Sequence, residues 1–324
     1  MRVLVTGGCG FVGSAVVRLA VERGDNVLNV DRRRKSNPVP ALGPVSSREG
    51  YARLEADVCD RSLMRALVRE FAPDAVIHLA APESDDPAAL IDGEIGGAFS
   101  MLEAARGYFE MAPAPARERF RMIHVEHAES DMPERIDRAQ AAKGTASTLL
   151  ERWSRATGVP MVTCVAGDAF GPWQSRGALL PQLLASLMHG QPFALSDGGA
   201  AVRDWIPVRD LAAGILNAAE KPGVTGRIDF SVGAERRDID IAESICSLLD
   251  ARLPRAAGSP WSSLVVTKGG AKDARSGPML DSAEAERLLG WNPQGFHAGI
   301  DRLLSWTVAS YEASRARAIA IAAE

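Results

Sequence analysis

The chain has 324 residues, 46% hydrophobic and 24% charged, the mix of a globular protein longer than one typical domain. A net charge of −4 leaves no global positive field to attract nucleic acid. The four cysteines, Cys9, Cys59, Cys164 and Cys246, lie far apart without a C-x-x-C pair, so they read as small buried hydrophobes and not as a disulfide framework. Met1 is followed at once by the strand-like RVLVT, and no apolar stretch of about 18 residues occurs. A soluble, cytoplasmic protein with no membrane or nucleic-acid partner is expected.

In chain order, apolar runs rich in Val, Ile, Leu and Ala occupy 2–6, 26–30, 52–56, 74–80, 120–126 and 160–166. Between and after them, helical periodicity appears near 11–23, 60–71, 88–106, 139–157 and 178–190. This alternation predicts βαβ units, and the near-continuous apolar strands predict a parallel sheet covered on both faces, a doubly wound α/β fold of Rossmann type. Beyond residue 190 come short strands at 193–195, 202–206 and 227–232, with helices near 209–220, 238–252, 281–290 and 296–320. These predict a smaller C-terminal α/β lobe. The expected division is 1–170 and 171–324, with some exchange of chain between the lobes. The Pro- and Gly-rich segments 31–50, 107–118 and 253–278 are expected to be long loops.

The first strand runs into TGGCGFVG at 6–13, where Gly8, Gly10 and Gly13 open an amphipathic helix. That is the setting a dinucleotide fingerprint requires. Glycines permit a tight turn and close approach of a pyrophosphate, whose charge then meets unpaired N–H groups at the helix N-terminus. The second strand ends in Asp31, about 20 residues on, where a carboxylate would bond the adenosine ribose. NAD is expected over NADP because a 2′-phosphate would be repelled, although the basic run Arg32, Arg33, Arg34 and Lys35 could neutralise one.

Together with NVD at 29–31, ADVCD at 56–60, PDAVIHLAA at 73–81, MLEAAR at 101–106, FGP at 170–172, RDWIPVRDLA at 203–212 and the late LD and LGW, these motifs span nearly the whole chain. Through them the chain resembles the extended short-chain dehydrogenase/reductase family, and within it the dTDP-glucose 4,6-dehydratase-like nucleotide-sugar enzymes. The resemblance implies that Gly7, Gly10, Phe11, Val12 and Gly13 seat the pyrophosphate and that Asp31 and Arg32 border the adenosine ribose. It further implies that Asp57 and Val58 flank the adenine, and that Leu79, Ala80 and Ala81 line the cofactor cleft. It implies a pyrimidine-diphosphate sugar or related small molecule as substrate, held in the C-terminal lobe, and a homodimer formed through the helices near 88–106 and 139–157.

The catalytic pattern departs from that family. Its chemistry takes a proton from a sugar hydroxyl with a tyrosinate, whose pKa a lysine lowers within Y-x-x-x-K. Here Lys143 is present, but four residues earlier stands Ala139, and the only tyrosines are Tyr51, Tyr108 and Tyr311. After the strand at 120–125, EHAE replaces a Ser-Thr-Asp-Glu run, so only Glu129 matches and Ala128 stands in place of the dehydratase acid. Glu94 occupies the place of a usual asparagine. On the substrate side, the resemblance implies a diphosphate grip by Arg203, and by Arg275 after a one-residue shift. Asp168 stands where an asparagine contacts substrate, and a carboxylate there would repel a diphosphate.

Two readings follow. In one the chain is an NAD-dependent enzyme with a substituted constellation, in which Glu129 or His127, with Glu126 beside them, serves as base near Lys143. In the other it is a catalytically silent NAD- or nucleotide-sugar-binding sensor or partner subunit. New ionisable groups, not alanines, at two changed positions put the enzyme first. His124 and His127 have no third ligand at suitable spacing, so no metal is expected.

Overall fold

Among the described residues twelve strands organise the chain: β1 (Arg2–Thr6), β2 (Asn26–Asp31), β3 (Tyr51–Glu55), β4 (Ala75–His78), β5 (Arg121–His127), β6 (Met161–Ala166), β7 (Asp168–Phe170), β8 (Phe193–Leu195), β9 (Val202–Pro207), β10 (Gly226–Phe230), β11 (Glu235–Arg237) and β12 (Val265–Thr267). The structure is a computed structural model and describes residues 1–32, 39–82, 84, 86–128, 138–255, 258–269 and 280–322. By internal contacts it divides into two units. The first comprises Met1–Ala166, Val208–Phe230 and Leu280–Pro293, and the second Gly167–Pro207, Ser231–Met279 and Gln294–Glu324.

In the first unit seven parallel strands run in the order β10-β6-β5-β4-β1-β2-β3. Every residue of β4 and β6 is buried, which is why these segments read as unbroken apolar runs. Leu4, Val76, Met122 and Met161 form one face of the core with the helices Arg61–Phe71, Ala98–Met111 and Arg138–Thr157. The helices Phe11–Glu22 and Val208–Glu220 pack together on the other. Strand order reverses at β1, and in such sheets the crevice beyond the carboxyl ends at that point is where ligands bind.

The first face carries a polar row. Thr6, His78, His124 and Thr163 are neighbours in register across β1, β4, β5 and β6, and all four are buried. Thr6 Oγ1 meets His78 Nδ1 at 2.7 Å, and His124 Nε2 meets Ser147 Oγ at 3.2 Å. Burial pushes His78 down to about 3, with the neighbouring His124 adding to it, and pushes His124 down to about 4. Both imidazoles are therefore neutral.

In the second unit β9 pairs parallel with β7 and antiparallel with β11, and β8 pairs parallel with β12. Its core joins Leu183 and Leu187, Ile241 and Ile245, and Ile300 and Leu304 from the helices Leu179–Met188, Asp238–Arg252 and Phe296–Ala322.

Two expectations are corrected. The segment 107–118 is mostly helical: Ala98–Met111 runs into it, and a short helix, Ala114–Arg119, follows the N-cap Pro113 with Pro115 in its first turn, where a missing N–H leaves no helical bond unmade. The helix expected over 88–106 is interrupted by a π-helical turn, Asp92–Gly97, whose sequence DGEIGG is too glycine-rich to hold regular α-helix.

Candidate functional site

The turn after β1 is built from glycine because nothing larger fits. Gly7 adopts φ +73°, and a Cβ there would lie 2.6 Å from the backbone nitrogen of Ala80. A Cβ on Gly13 would lie 2.2 Å from the carbonyl oxygen of Gly7. The left-handed position of the turn is thus Gly7. Gly10 caps the helix Phe11–Glu22 without a side-chain bond, so the first-turn N–H groups of Phe11, Val12 and Gly13 have no intrahelical acceptor. Such an end suits an anion.

Beside this turn opens a cavity of about 550 Å³, within the range of small-molecule sites. Its wall brings together Gly7, Gly10, Asp31, Arg32, Asp57, Val58, Leu79, Ala80, Ala81 and Lys143. Phe11, Val12 and Gly13 begin the adjoining helix and are not wall residues. The wall also includes Cys9, Val30, Ala56, Cys59, Pro82 and Gly93, which sequence reasoning missed although most of them flank residues it named.

Charge in the cavity is arranged at its ends. At the tip of β2, Asp31 Oδ2 accepts from the backbone N–H of Cys9 at 2.9 Å. Burial and then the Asp31 charge push the Cys9 thiol up to about 11, so it is no nucleophile at neutral pH. Asp57 Oδ1 accepts from Cys59 N at 2.9 Å. Lys143 projects from the helix Arg138–Thr157, with Ala139 one turn before it. Its Nζ lies 4.0 Å from Oε1 of Glu94, a buried residue of the π-helical turn.

None of the three tyrosines is a wall residue. The Tyr51 hydroxyl accepts from Asn29 Nδ2, Tyr108 packs edge-on against Phe120, and Tyr311 packs against His189. At the carboxyl end of β5, Ser147 donates to the Glu126 carboxylate, which ties that strand tip to the Lys143 helix. His127 is exposed beside it, on the other side of the strand by alternation. Glu129, Arg275, Arg33, Arg34 and Lys35 lie outside the described residues. Among the described residues no three His, Cys, Asp or Glu side chains converge as a metal site.

In the second unit Arg203 is already engaged. Its Nε donates to Asp238 Oδ1 at 2.9 Å and its Nη1 to Asp168 Oδ1 at 3.5 Å. Two carboxylates on one guanidinium leave a negative balance, so a diphosphate there would have to displace or out-compete them.

A family model described as NAD dependent epimerase/dehydratase matches residues 3–233. The chain belongs to the NAD-dependent epimerase/dehydratase family. It is 31% identical to a dTDP-glucose 4,6-dehydratase of Shigella flexneri over 96% of this chain and 93% of that protein. It is also 31% identical to a dTDP-glucose 4,6-dehydratase of Neisseria gonorrhoeae, over 94% and 95%. Among solved structures, the dTDP-glucose 4,6-dehydratase of Bacillus anthracis in complex with NAD aligns with a TM-score of 0.79 at 18% identity, over 96% of this chain and 98% of that one. The UDP-glucose 4-epimerase of Thermotoga maritima with UDP-glucose aligns at 0.76 and 23%, over 96% and 99%. At such identity these two speak for the fold, and the shared fold is the seven-stranded parallel sheet. These relatives carry the names of nucleotide-sugar dehydratases and of an epimerase.

Proposed function

We propose that this protein is an NAD-dependent enzyme modifying a pyrimidine-diphosphate sugar or related polyol, of epimerase, dehydratase or oxidoreductase type, working without the tyrosine of Y-x-x-x-K. The observation that carries the reading is a cavity whose wall joins the glycine turn, Asp31 and Lys143. The fit to a dinucleotide rests on a cradle that any Cβ would fill and on an uncapped helix end. When bound there, NAD supplies a hydride acceptor for oxidation of a sugar hydroxyl.

The chain's own groups would divide the remaining work. Asp31 accepts from the ribose hydroxyls and disfavours a 2′-phosphate, which supports NAD over NADP despite Arg32 in the same wall. Lys143 holds the second ribose by hydrogen bonds and so places the cofactor beside the hydroxyl whose proton leaves. The proton goes to Glu129 or His127, with Glu126 beside them in the EHAE run at 126–129. The names of the relatives support dTDP- or UDP-linked sugars as substrates. A homodimer through the helices Ala98–Met111 and Arg138–Thr157 is the assembly that the family resemblance supports. The cysteines Cys9, Cys59, Cys164 and Cys246 are all unpaired, which supports a reducing, cytoplasmic setting. No helix among the described residues is long and apolar enough to cross a membrane.

The test is to incubate the purified protein with NAD and a panel of dTDP- and UDP-sugars and to weigh the products. A mass change that disappears in Lys143→Ala supports the enzyme. Cofactor binding without conversion of any sugar supports a silent sensor or partner subunit instead.

A further inference from the structure

Glu94 is 7% exposed, and burying a carboxylate is costly unless a cation answers it. Lys143 Nζ at 4.0 Å supplies that cation from a side chain still 40% exposed. Burial raises the Glu94 carboxyl above its ordinary range while Lys143 pulls it back. The π-helical turn that carries Glu94 is pressed against the cavity wall on both sides. A Cβ on Gly93 would lie 2.7 Å from Pro82 Cβ, and one on Gly97 would lie 2.8 Å from Val58 Cγ2. Single π-helical turns recur at functional sites, and here the turn delivers an acid to Lys143 in the wall.

Sheet order fixes which end of the cavity this pair occupies. Asp31 and Asp57 follow β2 and β3 on one side of the glycine turn, whereas Leu79–Ala81 follow β4 on the other. The helix of Lys143 is tied to β5 beyond β4 through Ser147. A dinucleotide with its pyrophosphate on the turn and its adenosine at Asp31 therefore brings its nicotinamide half toward Lys143. This step rests on the reading that the cavity takes NAD. A lone ammonium at that end would repel the cationic ring of oxidised nicotinamide and leave the neutral reduced ring untouched.

We propose that Glu94 is a positioning residue and counter-ion: it fixes Lys143 and cancels its charge, so that the site favours the oxidised over the reduced cofactor. An enzyme that must begin by oxidising its substrate gains from that preference.

The test is calorimetric titration with NAD⁺ and with NADH near pH 8, where carboxylates are ionised. In Glu94→Gln the ratio of the NAD⁺ Kd to the NADH Kd is expected to rise about threefold, from one uncancelled charge several ångströms from the ring. Adding Lys143→Met to that variant is expected to restore the wild-type ratio, which a merely structural role of Glu94 would not do. Glu94→Asn, also neutral and smaller, is the second variant if the first is unstable by its melting curve. An unchanged ratio in a folded neutral variant overturns the proposal. If wild type binds neither cofactor, the NAD reading fails, and this inference with it.

Discussion

The backbone N–H of Cys9 donates to Asp31 Oδ2 at 2.9 Å, so the glycine turn and the carboxylate at the end of β2 hold each other in place. One oxygen is thereby fixed and the carboxylate is oriented at the cavity wall. Asp31→Asn keeps an acceptor for Cys9 but loses the charge that opposes a 2′-phosphate. The expected outcome is a preference for NAD over NADP that falls about tenfold, with the turn preserved, as judged by the two dissociation constants. An unaltered preference would remove Asp31 from cofactor selection.

Gly13 tests the cradle itself. A methyl group there meets the Gly7 carbonyl oxygen at 2.2 Å, a backbone atom that cannot rotate away. Gly13→Ala should cost about 1–3 kcal/mol of stability in urea unfolding and should abolish measurable NAD binding. Wild-type affinity in this variant would mean that the dinucleotide sits elsewhere.

The buried imidazoles His78 and His124 predict acid sensitivity. Their native pKa values, about 3 and about 4, lie below the ordinary 6.5, so between these limits the unfolded chain binds protons that the native one refuses. Their contribution is complete above about pH 6.5 and is lost as pH falls, by about 2 kcal/mol per imidazole at pH 5. His124→Asn should flatten the fall of melting temperature with acid. A slope equal to that of wild type would show that the histidine row does not govern it.

Asp168 and Asp238 share Arg203, and Asp168 contributes a charge where the resembling enzymes carry a neutral amide. Asp168→Asn should tighten binding of UDP or dTDP several-fold, on the order of 1 kcal/mol, by freeing the guanidinium for phosphate. Weaker binding would show that Asp168 orders the arginine for its ligand.

The legible parts of the chain were those with strong local signals. Strands β1, β2, β4, β5 and β6 announce themselves as apolar runs because both faces of the sheet are covered, and TGGCGFVG announces the turn because only glycine fits it. Strands β7, β11 and β12 have three residues each and no period of their own; they exist through pairing with β9 and β8, which local sequence does not encode. The engagement of Arg203 by Asp168 and Asp238 spans 35 residues on either side and was invisible for the same reason. Glu94 could be noticed as a substitution, but its pairing with Lys143 depends on a π-helical winding that periodicity reads as plain helix. The absence of tyrosine at Ala139 needed only the sequence.

NAD bound in the cavity is proposed to oxidise a nucleotide sugar with the help of Lys143 and without a tyrosine. The most direct test is the near-ultraviolet absorbance of reduced nicotinamide after a dTDP- or UDP-sugar is mixed with NAD-loaded protein in a single turnover. Reduced cofactor is expected to form in wild type, at least transiently, and the signal to be lost in Lys143→Ala while unchanged in Tyr51→Phe, Tyr108→Phe and Tyr311→Phe. No reduced cofactor with any sugar, or a signal abolished by one of the tyrosine variants, would contradict it.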